Sequence, residues 1–258
     1  MLVLFLSLSN FGVKSARFLF TSSYLLAKKI NIGPIKGLFT LPPKATGNSF
    51  PEEQRAETQL TDEQIQAGVG IMLGDGSMDS SKNGASFQLA QGTVHTPYLL
   101  FVFGLFFDLC ANFPQLYSTW DTRYLHYNYM LKFTTVTLPC FSQLYNLFYD
   151  EQGNRRLHPL LGAYLTARGL AHWIMCDGEK INRGGVFLNT FSFSMEEVDF
   201  LISVIRTNFN LDCHRIIKRS NGKIYWRIYI SGKKENLKQL INHVQPYMHS
   251  SMYYKLGL

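Results

Sequence analysis

The stretch "GVGIMLGDGSM", residues 68–78, is apolar for half a dozen positions and then places a single aspartate, Asp75, between two glycines. Upstream, Thr61 is a candidate helix N-cap followed by acidic residues, and Gly74 is a typical helix stop. A helix is therefore predicted from Thr61 to Gly74. Glycine inside a helix costs about 1 kcal/mol relative to alanine, so the small residues of this segment indicate the close approach of another helix.

The pattern returns in the second half of the chain. "GAYLTARGLAHWIMCDGEK", residues 162–180, is predicted to form a helix that ends at Cys176-Asp177-Gly178. If the two helices pack side by side about a pseudo-twofold axis, Asp75 and Asp177 meet at one end of the interface. Two nearby carboxylates repel each other unless a cation or a proton lies between them. Oxygen ligands with open positions suit Mg²⁺, and paired metal sites can cleave phosphodiesters.

The segments that follow each predicted helix also repeat. In both copies, strands, a helix, a hairpin and a final helix follow in the order α-β-β-α-β-β-α. The supporting signals are the turns at Lys82-Asn83-Gly84 and Ser220-Asn221-Gly222, strand-like residues 122–137, Pro139 at a helix start and the Ser194/Glu197 capping box. The predicted fold class is α+β, with two pseudo-symmetric αββαββα halves at residues 61–152 and 153–258.

Residues 1–60 are predicted to be a leader and linker. Residues 1–50 hold six basic and no acidic side chains. Polar and basic residues interrupt the apolar residues of this segment too often for a secretory signal or a membrane-spanning helix. A transit-like or disordered leader without a membrane partner is therefore expected. A Pro- and Gly-rich linker follows and ends near Leu60. The four cysteines lie far apart, which argues against a zinc clamp or a disulfide framework.

The charge distribution points to an anionic partner. The net charge is +7 and the isoelectric point is about 9.2, which favours binding to nucleic acid. Residues 61–150 carry three basic and seven acidic side chains, whereas residues 151–258 carry fifteen basic and eight acidic ones. The second half is therefore the stronger candidate for binding phosphates.

Both helix segments resemble a known motif. "AGVGIMLGDGSM" and "LAHWIMCDGEK" resemble the two copies that name the LAGLIDADG homing endonucleases. The segments "LNTFSFSMEEVDFL", "FTTVTLPCFSQLYNLFYDE" and "YMHSSMYYKLGL" are similar to the subfamily that includes the mitochondrial omega-intron endonuclease. The resemblance extends from about Thr61 to Leu258. One copy of the motif is weakly specific, but two copies in order, each followed by similar elements, are a strong signal.

The resemblance implies a monomeric, single-chain mitochondrial enzyme encoded within an intron. Its two sheets would form a saddle over double-stranded DNA and make a staggered double-strand break at a long site. It also implies a divalent metal, Mg²⁺, held by Asp75 and Asp177 with the backbone carbonyls of Gly74 and Cys176.

Further site residues follow from matching positions in the family motif. Lys255, in "YYKL", matches a basic position near the cleavage centre, and Arg155 or Arg156 is its first-half counterpart. Gln91 matches a polar position close to the site, with Asn189 as its second-half equivalent. Each has a plainer interpretation, because a lysine near a chain end or an arginine in a linker is usually solvated, and Gln91 and Asn189 would then only cap strand ends.

DNA contacts are expected from alternate strand positions, since a curved sheet in the major groove presents every second side chain to the bases. The second half offers a basic hairpin interleaved with aromatic residues, and the first half is sparse. The candidates are Lys82, Arg123, Lys132, Arg215, Lys218, Arg219, Lys223 and Arg227, with His126, Asn128 and His214 as polar neighbours. A solvated basic hairpin is the alternative.

Two other functions remain open. A group I intron RNA maturase would have the same fold and charge with weak or lost cleavage, although both aspartates are retained here. A non-catalytic DNA-binding regulator of this fold is disfavoured because no additional DNA-binding segment follows Tyr253. Two residues depart from the motif's usual pattern. His172 is bulky and polar in the interface helix, and Phe191 stands where a polar residue is common.

Overall fold

The computed structural model describes residues 51–182, 184–220 and 222–258, so the predicted leader at residues 1–50 lies outside it. The helices are α1 (Glu52–Glu57), α2 (Asp62–Leu73), α3 (Thr96–Phe106), α4 (Ser142–Asn146), α5 (Leu161–Tyr164), α6 (Ala167–Asp177), α7 (Met195–Phe209) and α8 (Lys234–Val244). The strands are β1 (Gly76–Ser81), β2 (Gly84–Gly92), β3 (Gln115–Asp121), β4 (His126–Thr134), β5 (Gly178–Lys180), β6 (Gly185–Asn189), β7 (Cys213–Ser220) and β8 (Lys223–Ser231). Within the described part, no helix is both long and apolar enough to cross a membrane.

Each half contains one four-stranded antiparallel sheet. The strand orders are β1-β2-β4-β3 and β5-β6-β8-β7, so the second sheet repeats the topology of the first. Three helices accompany each sheet in the same sequence order, which are α2, α3 and α4 in the first half and α6, α7 and α8 in the second. The two predicted αββαββα repeats are therefore present.

Side chains alternate between a core face and an open face in both sheets. Phe87 and Phe133 of the first sheet, and Leu188 and Ile228 of the second, are at most 2% exposed beneath the helices. Because successive residues of a strand point to opposite sides, the neighbours of these residues form an open face on each sheet. The helices therefore leave one face of each sheet free for a partner.

Several boundaries differ from the prediction. Helix α1 forms inside the predicted linker. Strand β3 begins earlier than residues 122–137, whose first residues form the β3–β4 turn with Leu125 at a positive φ. The predicted helix over residues 162–180 is divided, because Thr166 adopts an extended conformation and caps a new helix through the amide of Gly169. The Ser194/Glu197 capping box of α7 is formed as predicted. Thr61 caps α2 as predicted and forms a capping box with Gln64.

Helices α2 and α6 form the contact between the halves. A Cβ on Gly70 would lie 1.9 Å from the carbonyl oxygen of Gly169, so the two backbones touch. Polar contacts flank this point, with Arg168 paired to Glu63 at 2.8 Å. Glycine therefore permits the close helix crossing that the sequence predicted, at the cost of helix propensity.

Substitution of Gly70 by alanine is expected to lower the free energy of unfolding by about 3 kcal/mol, because the new methyl group meets backbone that cannot rotate away. Chemical denaturation monitored by circular dichroism measures this change. Gly104→Ala in α3 is the matched control. A Cβ there has no heavy atom within 4 Å, so this change should stabilise the protein by up to about 1 kcal/mol. Equal effects of the two substitutions would contradict the close crossing.

Candidate functional site

Asp75 and Asp177 lie at the adjoining ends of the two interface helices. Asp75 follows Gly74, the residue that ends α2, and Asp177 is the last residue of α6. A Cβ on Gly74 would lie 2.4 Å from Cβ of Cys176 and 3.5 Å from Oδ2 of Asp177. The two turns that carry the carboxylates therefore pack against each other, as the pseudo-twofold arrangement predicted.

This placement changes the acidity of Asp177. The pKa of Asp177 is raised to about 7, mainly by burial and also by the neighbouring negative charge of Asp75. Lys255 and Arg155 oppose the rise in the Asp177 pKa through their positive charges. The site thus combines two acidic side chains with two cations and holds one carboxyl group where ionisation is unfavourable without a compensating cation.

Without divalent metal, the protein is expected to lose stability as the pH rises from about 4 to about 7. The folded-state pKa of Asp177 lies above its ordinary value of 3.8, so the folded state binds more protons in this window and stability falls with pH. Asp177→Asn should remove this loss and raise the free energy of unfolding at pH 8 by on the order of 3 kcal/mol. Denaturation in EDTA at pH 5 and pH 8 measures both effects, and equal pH dependence in the two proteins would contradict them.

Two polar residues of the sheets approach the aspartates, but they are not equivalent. The Gln91 side-chain amide donates to Oδ2 of Asp75 at 2.6 Å. The Asn189 amide instead donates to the backbone carbonyl of Asp177 at 3.2 Å. The strand register pairs Gly76 with Leu89 and Gly178 with Leu188. The counterpart of Gln91 is therefore Thr190, and that of Asn189 is Ala90, so the predicted equivalence of Gln91 and Asn189 is wrong.

Lys255 lies inside the site. It ends a 3₁₀ turn over Ser250–Lys255, is 8% exposed, and donates from Nζ to the carbonyl oxygen of Cys176 at 2.7 Å. Burial lowers the pKa of Lys255, whereas the negative charges of Asp75 and Asp177 partly restore it. The solvated alternative for this lysine is thus excluded by its position.

The linker arginine that reaches the site is Arg155. Its guanidinium donates to the carbonyl oxygen of Met72 near the end of α2 and lies over the ring of Phe193. Arg156 is exposed, and its charge acts on Asp150, whose pKa is lowered first by a hydrogen bond from the Asn154 amide and least by Arg156. Of the two arginines offered by the sequence, the structure therefore brings Arg155 to the centre and leaves Arg156 outside it.

Sequence reasoning missed a buried polar cluster behind the second aspartate. The Tyr98 hydroxyl lies 3.1 Å from Nδ1 of His172 and 3.4 Å from Sγ of Cys176. Burial lowers the pKa of His172 to about 3, so its imidazole is neutral. The ring of Phe101 stacks on this imidazole. His172 therefore joins the first half to the second through Tyr98, although the sequence flagged it only as a departure from the motif.

His95 was also missed as a neighbour of the site. It ends a short 3₁₀ turn directly before α3. Partial burial lowers the pKa of His95, the charge of Lys255 lowers it further, and Asp75 opposes both. In the sequence, the only sign of its role is that His95 comes shortly after the strand that carries Gln91. That position alone is too weak a signal to identify a site residue.

The predicted DNA-contacting residues divide between the two faces of the sheets. The register places Lys132, Lys218, Lys223 and Arg227 on the open faces. Arg215 and Arg219 lie on the opposite face of β7, where Arg215 pairs with Asp199 of α7 and lies over Trp226. The remaining two, Lys82 and Arg123, lie in hairpin turns, and Arg123 pairs with Asp121 at 2.9 Å. The expectation that Arg215 faces the same partner as Lys218 is therefore wrong.

The donor atoms at the centre suit a hard divalent cation. Two carboxylates from different halves supply oxygen ligands, and backbone carbonyls lie beside them. The described residues include no group of three or more His, Cys, Asp or Glu side chains able to enclose a metal. A cation here would therefore be held only partly by the protein, which is the mode that suits Mg²⁺ when substrate oxygens complete the coordination.

Two αββαββα halves that bring two carboxylates together at the ends of paired helices define the class of homing endonuclease folds. Residues 65–238 match the model of the LAGLIDADG DNA endonuclease family. The chain belongs to this family. The predicted fold, family and enzyme class, a nuclease that acts on DNA, are confirmed.

Individual relatives agree with this assignment. The chain is 40% identical to an intron-encoded endonuclease of Dictyostelium discoideum over 49% of its own length and 77% of that protein. It is 30% identical to a probable intron-encoded endonuclease of Wickerhamomyces canadensis, over 77% of this chain and 86% of that protein. The homing endonuclease I-WcaI, solved bound to its DNA recognition sequence, superposes with a TM-score of 0.72 at 25% identity, covering 84% of this chain and 98% of that one.

A second kind of relative is also present. The chain is 32% identical to a cytochrome b mRNA maturase of Saccharomyces cerevisiae over 73% of this chain, and it spans 46% of that longer protein. The family therefore includes relatives named for DNA cleavage and relatives named for RNA maturation.

Proposed function

We propose that the protein is a metal-dependent homing endonuclease that makes a staggered double-strand break at a long DNA site. The observation that carries this proposal is the meeting of Asp75 and Asp177 at touching helix ends, each directly before the first strand of one of two similar sheets. I-WcaI, a homing endonuclease bound to its DNA recognition sequence, has a similar fold. Each half supplies one carboxylate, and double-stranded DNA has one strand for each half to cleave.

The residues of the centre have separable roles in this proposal. Gln91 fixes the carboxylate of Asp75 through a short hydrogen bond. Lys255 holds the Cys176 turn and places an ammonium beside the reacting phosphate, where it stabilises negative charge. Arg155 is its first-half counterpart and binds the carbonyl of Met72, near the end of the first-half helix. Asp75, Asp177 and the backbone carbonyls of Gly74 and Cys176 would bind Mg²⁺. The bound ion would polarise the phosphate as a Lewis acid and activate water.

The open faces of the sheets bind the DNA. Lys218 and Lys223 lie exposed on the open face of the second hairpin, and Lys132 has the corresponding orientation in the first half. Cations at such positions neutralise phosphates and give salt-dependent affinity. The first sheet carries few cations, so its half-site is bound more through polar and aromatic side chains. Arg219 contributes from the tip of its hairpin.

The cellular setting follows from the relatives. Intron-encoded endonucleases and a cytochrome b mRNA maturase are the named relatives. We infer that this protein is encoded in a mitochondrial intron and acts as a monomer, because its two halves already form the pseudo-twofold arrangement of one site. Residues 61–152 and 153–258 are its two half-domains, after a leader and linker at residues 1–60.

Cleavage of the intronless host-gene junction tests this function. Purified protein is incubated with a plasmid carrying the junction, in Mg²⁺ or in EDTA, and the product ends are sequenced. The expected result is one double-strand break with staggered ends in Mg²⁺ and none in EDTA. Cleavage that persists in EDTA, or no cleavage at a junction that the protein binds, would overturn the proposal.

A group I intron RNA maturase is the second candidate. The maturase relative supports it, and so does an aromatic cluster on the first hairpin. Trp120 and Tyr127 lie 4.9 Å apart between ring centroids, with Tyr129 beside them. All three are about half exposed and share a face with buried Leu131, on the side away from the proposed DNA surface. Aromatic rings of this kind stack with unpaired RNA bases.

Splicing of the intron RNA distinguishes this candidate. The transcript is incubated at low Mg²⁺ with wild-type protein and with Trp120→Ala. Faster splicing with the wild type, lost on substitution while DNA cleavage is kept, would establish a maturase function. The absence of RNA binding would remove this candidate and leave the endonuclease.

A further inference from the structure

Four side chains form an ordered cluster on the open face of the second sheet, next to Asp177. Arg227 is at its centre and donates from Nη1 to Oε2 of Glu179 at 3.0 Å and to Oδ1 of Asn189 at 3.5 Å. Its guanidinium lies over the ring of Phe187, with Cζ 3.8 Å from the ring centroid. Asn189 in turn donates to the backbone carbonyl of Asp177. The cluster is thereby connected to the second motif.

The cluster holds its arginine in one orientation. Only 10% of the Arg227 side chain is exposed, against 55% for Glu179. Its Nε is buried and lacks a hydrogen-bond partner in the described part of the chain. Nε is enclosed, and Nη1 is held firmly only by Glu179, because its contact with Asn189 is long at 3.5 Å. Nη2 and the second hydrogen of Nη1 are therefore the donors left for a partner. A guanidinium fixed between a ring and a carboxylate loses little further freedom on binding.

The first half has no such cluster. The strand registers relate each member to one position of the first sheet. Glu179, Phe187, Asn189 and Arg227 correspond to Ser77, Gln88, Ala90 and Lys132. The aromatic platform, the carboxylate and the rigid guanidinium are therefore all particular to the second half, so the positions beside the two aspartates are chemically different.

We propose that Arg227 determines sequence specificity beside the cleavage centre by reading a guanine in the second half-site, and that Glu179 and Phe187 are its positioning residues. This inference rests on the proposed function. In the major groove, guanine presents the adjacent acceptors O6 and N7, which arginine recognises better than any other base edge. Glu179 balances the charge of Arg227, so the guanidinium is not drawn to the nearest phosphate and discriminates between bases instead.

The test uses the cleavable junction and a panel of its single base-pair variants. Wild-type protein is expected to prefer guanine at one position next to the centre by roughly tenfold or more. Arg227→Gln should lose this preference at that position alone. Glu179→Gln should weaken the same preference and steepen the salt dependence of DNA binding measured in EDTA, because the freed guanidinium now contacts phosphate.

Lys132→Gln is the matched control, because it changes the corresponding position of the first half. It should weaken binding to all DNA variants alike and make the salt dependence shallower, as expected for a phosphate contact. If Arg227→Gln fails to fold, Phe187→Leu tests the same inference. It removes the aromatic ring beneath Arg227 without removing a charge and should reduce the preference for guanine.

The inference is overturned if the variants lower only the melting temperature and leave the base preferences of the wild type intact, which would make the cluster a structural ion pair. That outcome is distinct from failure of the proposed function. In the latter case, the wild type itself would cut no member of the panel.

Discussion

Asp75→Asn and Asp177→Asn are each expected to abolish double-strand cleavage, with a rate loss of at least about 1000-fold, equivalent to about 4 kcal/mol. Asparagine keeps the shape of the side chain but cannot supply the negative charge that holds a divalent cation. The two aspartates come from different halves and meet at one place. Loss of either should therefore disable a centre that serves both strands.

A plasmid assay that separates supercoiled, nicked and linear DNA measures this effect. Asp62→Asn is the matched control, because Asp62 is exposed in the first turn of α2, at the end of that helix away from Asp75. It should cut at the wild-type rate and lose only a few tenths of a kcal/mol of stability. Binding in EDTA should persist in all three variants. Cleavage by either site variant within tenfold of the wild type would contradict the paired-carboxylate mechanism.

The sequence predicted the interface and the positions of its two carboxylates because both follow from local signals. Thr61 caps the first helix, small residues mark the crossing, and an aspartate follows the helix end. The tight turn at Lys82-Asn83 was equally readable. These features depend on residues close together in the chain, which is why the fold could be derived from them.

The face of each side chain was harder to predict, because it depends on strand register. Arg215 belongs to a basic run, yet it lies on the helix side of its sheet and pairs with Asp199. A shift of one residue along a strand reverses every side chain, and the same effect made Asn189, rather than Thr190, look like the counterpart of Gln91. Local sequence does not fix the register.

Contacts between distant segments were the other gap. Arg155 and Arg156 are adjacent and chemically alike, and only the position of Met72, far away in the chain, distinguishes them. The link between Tyr98 and His172 joins different halves in the same way. Nothing in the nearby sequence indicates such contacts, because they depend on how distant segments pack in the folded protein.

Lys255→Met is expected to reduce the cleavage rate by about 100-fold, in the range for loss of one positioned group that stabilises developing negative charge. The side chain of Lys255 is enclosed, contacts the carbonyl of Cys176 and lies within the field of both aspartates. Methionine fills the volume but removes the charge. It also leaves a buried carbonyl without its donor, which costs about 1–3 kcal/mol of stability, so the melting temperature must be measured alongside the rate.

Lys255→Arg separates charge from packing. Burial lowers the pKa of Lys255 from its ordinary value, so a rate that needs the ammonium should fall at an alkaline pH below the usual lysine range. Arginine stays charged throughout that range, and the variant should be slower overall but keep its rate to higher pH. Lys238→Met, an exposed change on α8, controls for net charge. If Lys255→Met and Lys238→Met cut equally well, Lys255 only braces the Cys176 turn, and charge stabilisation at the phosphate must come from Arg155 and the metal.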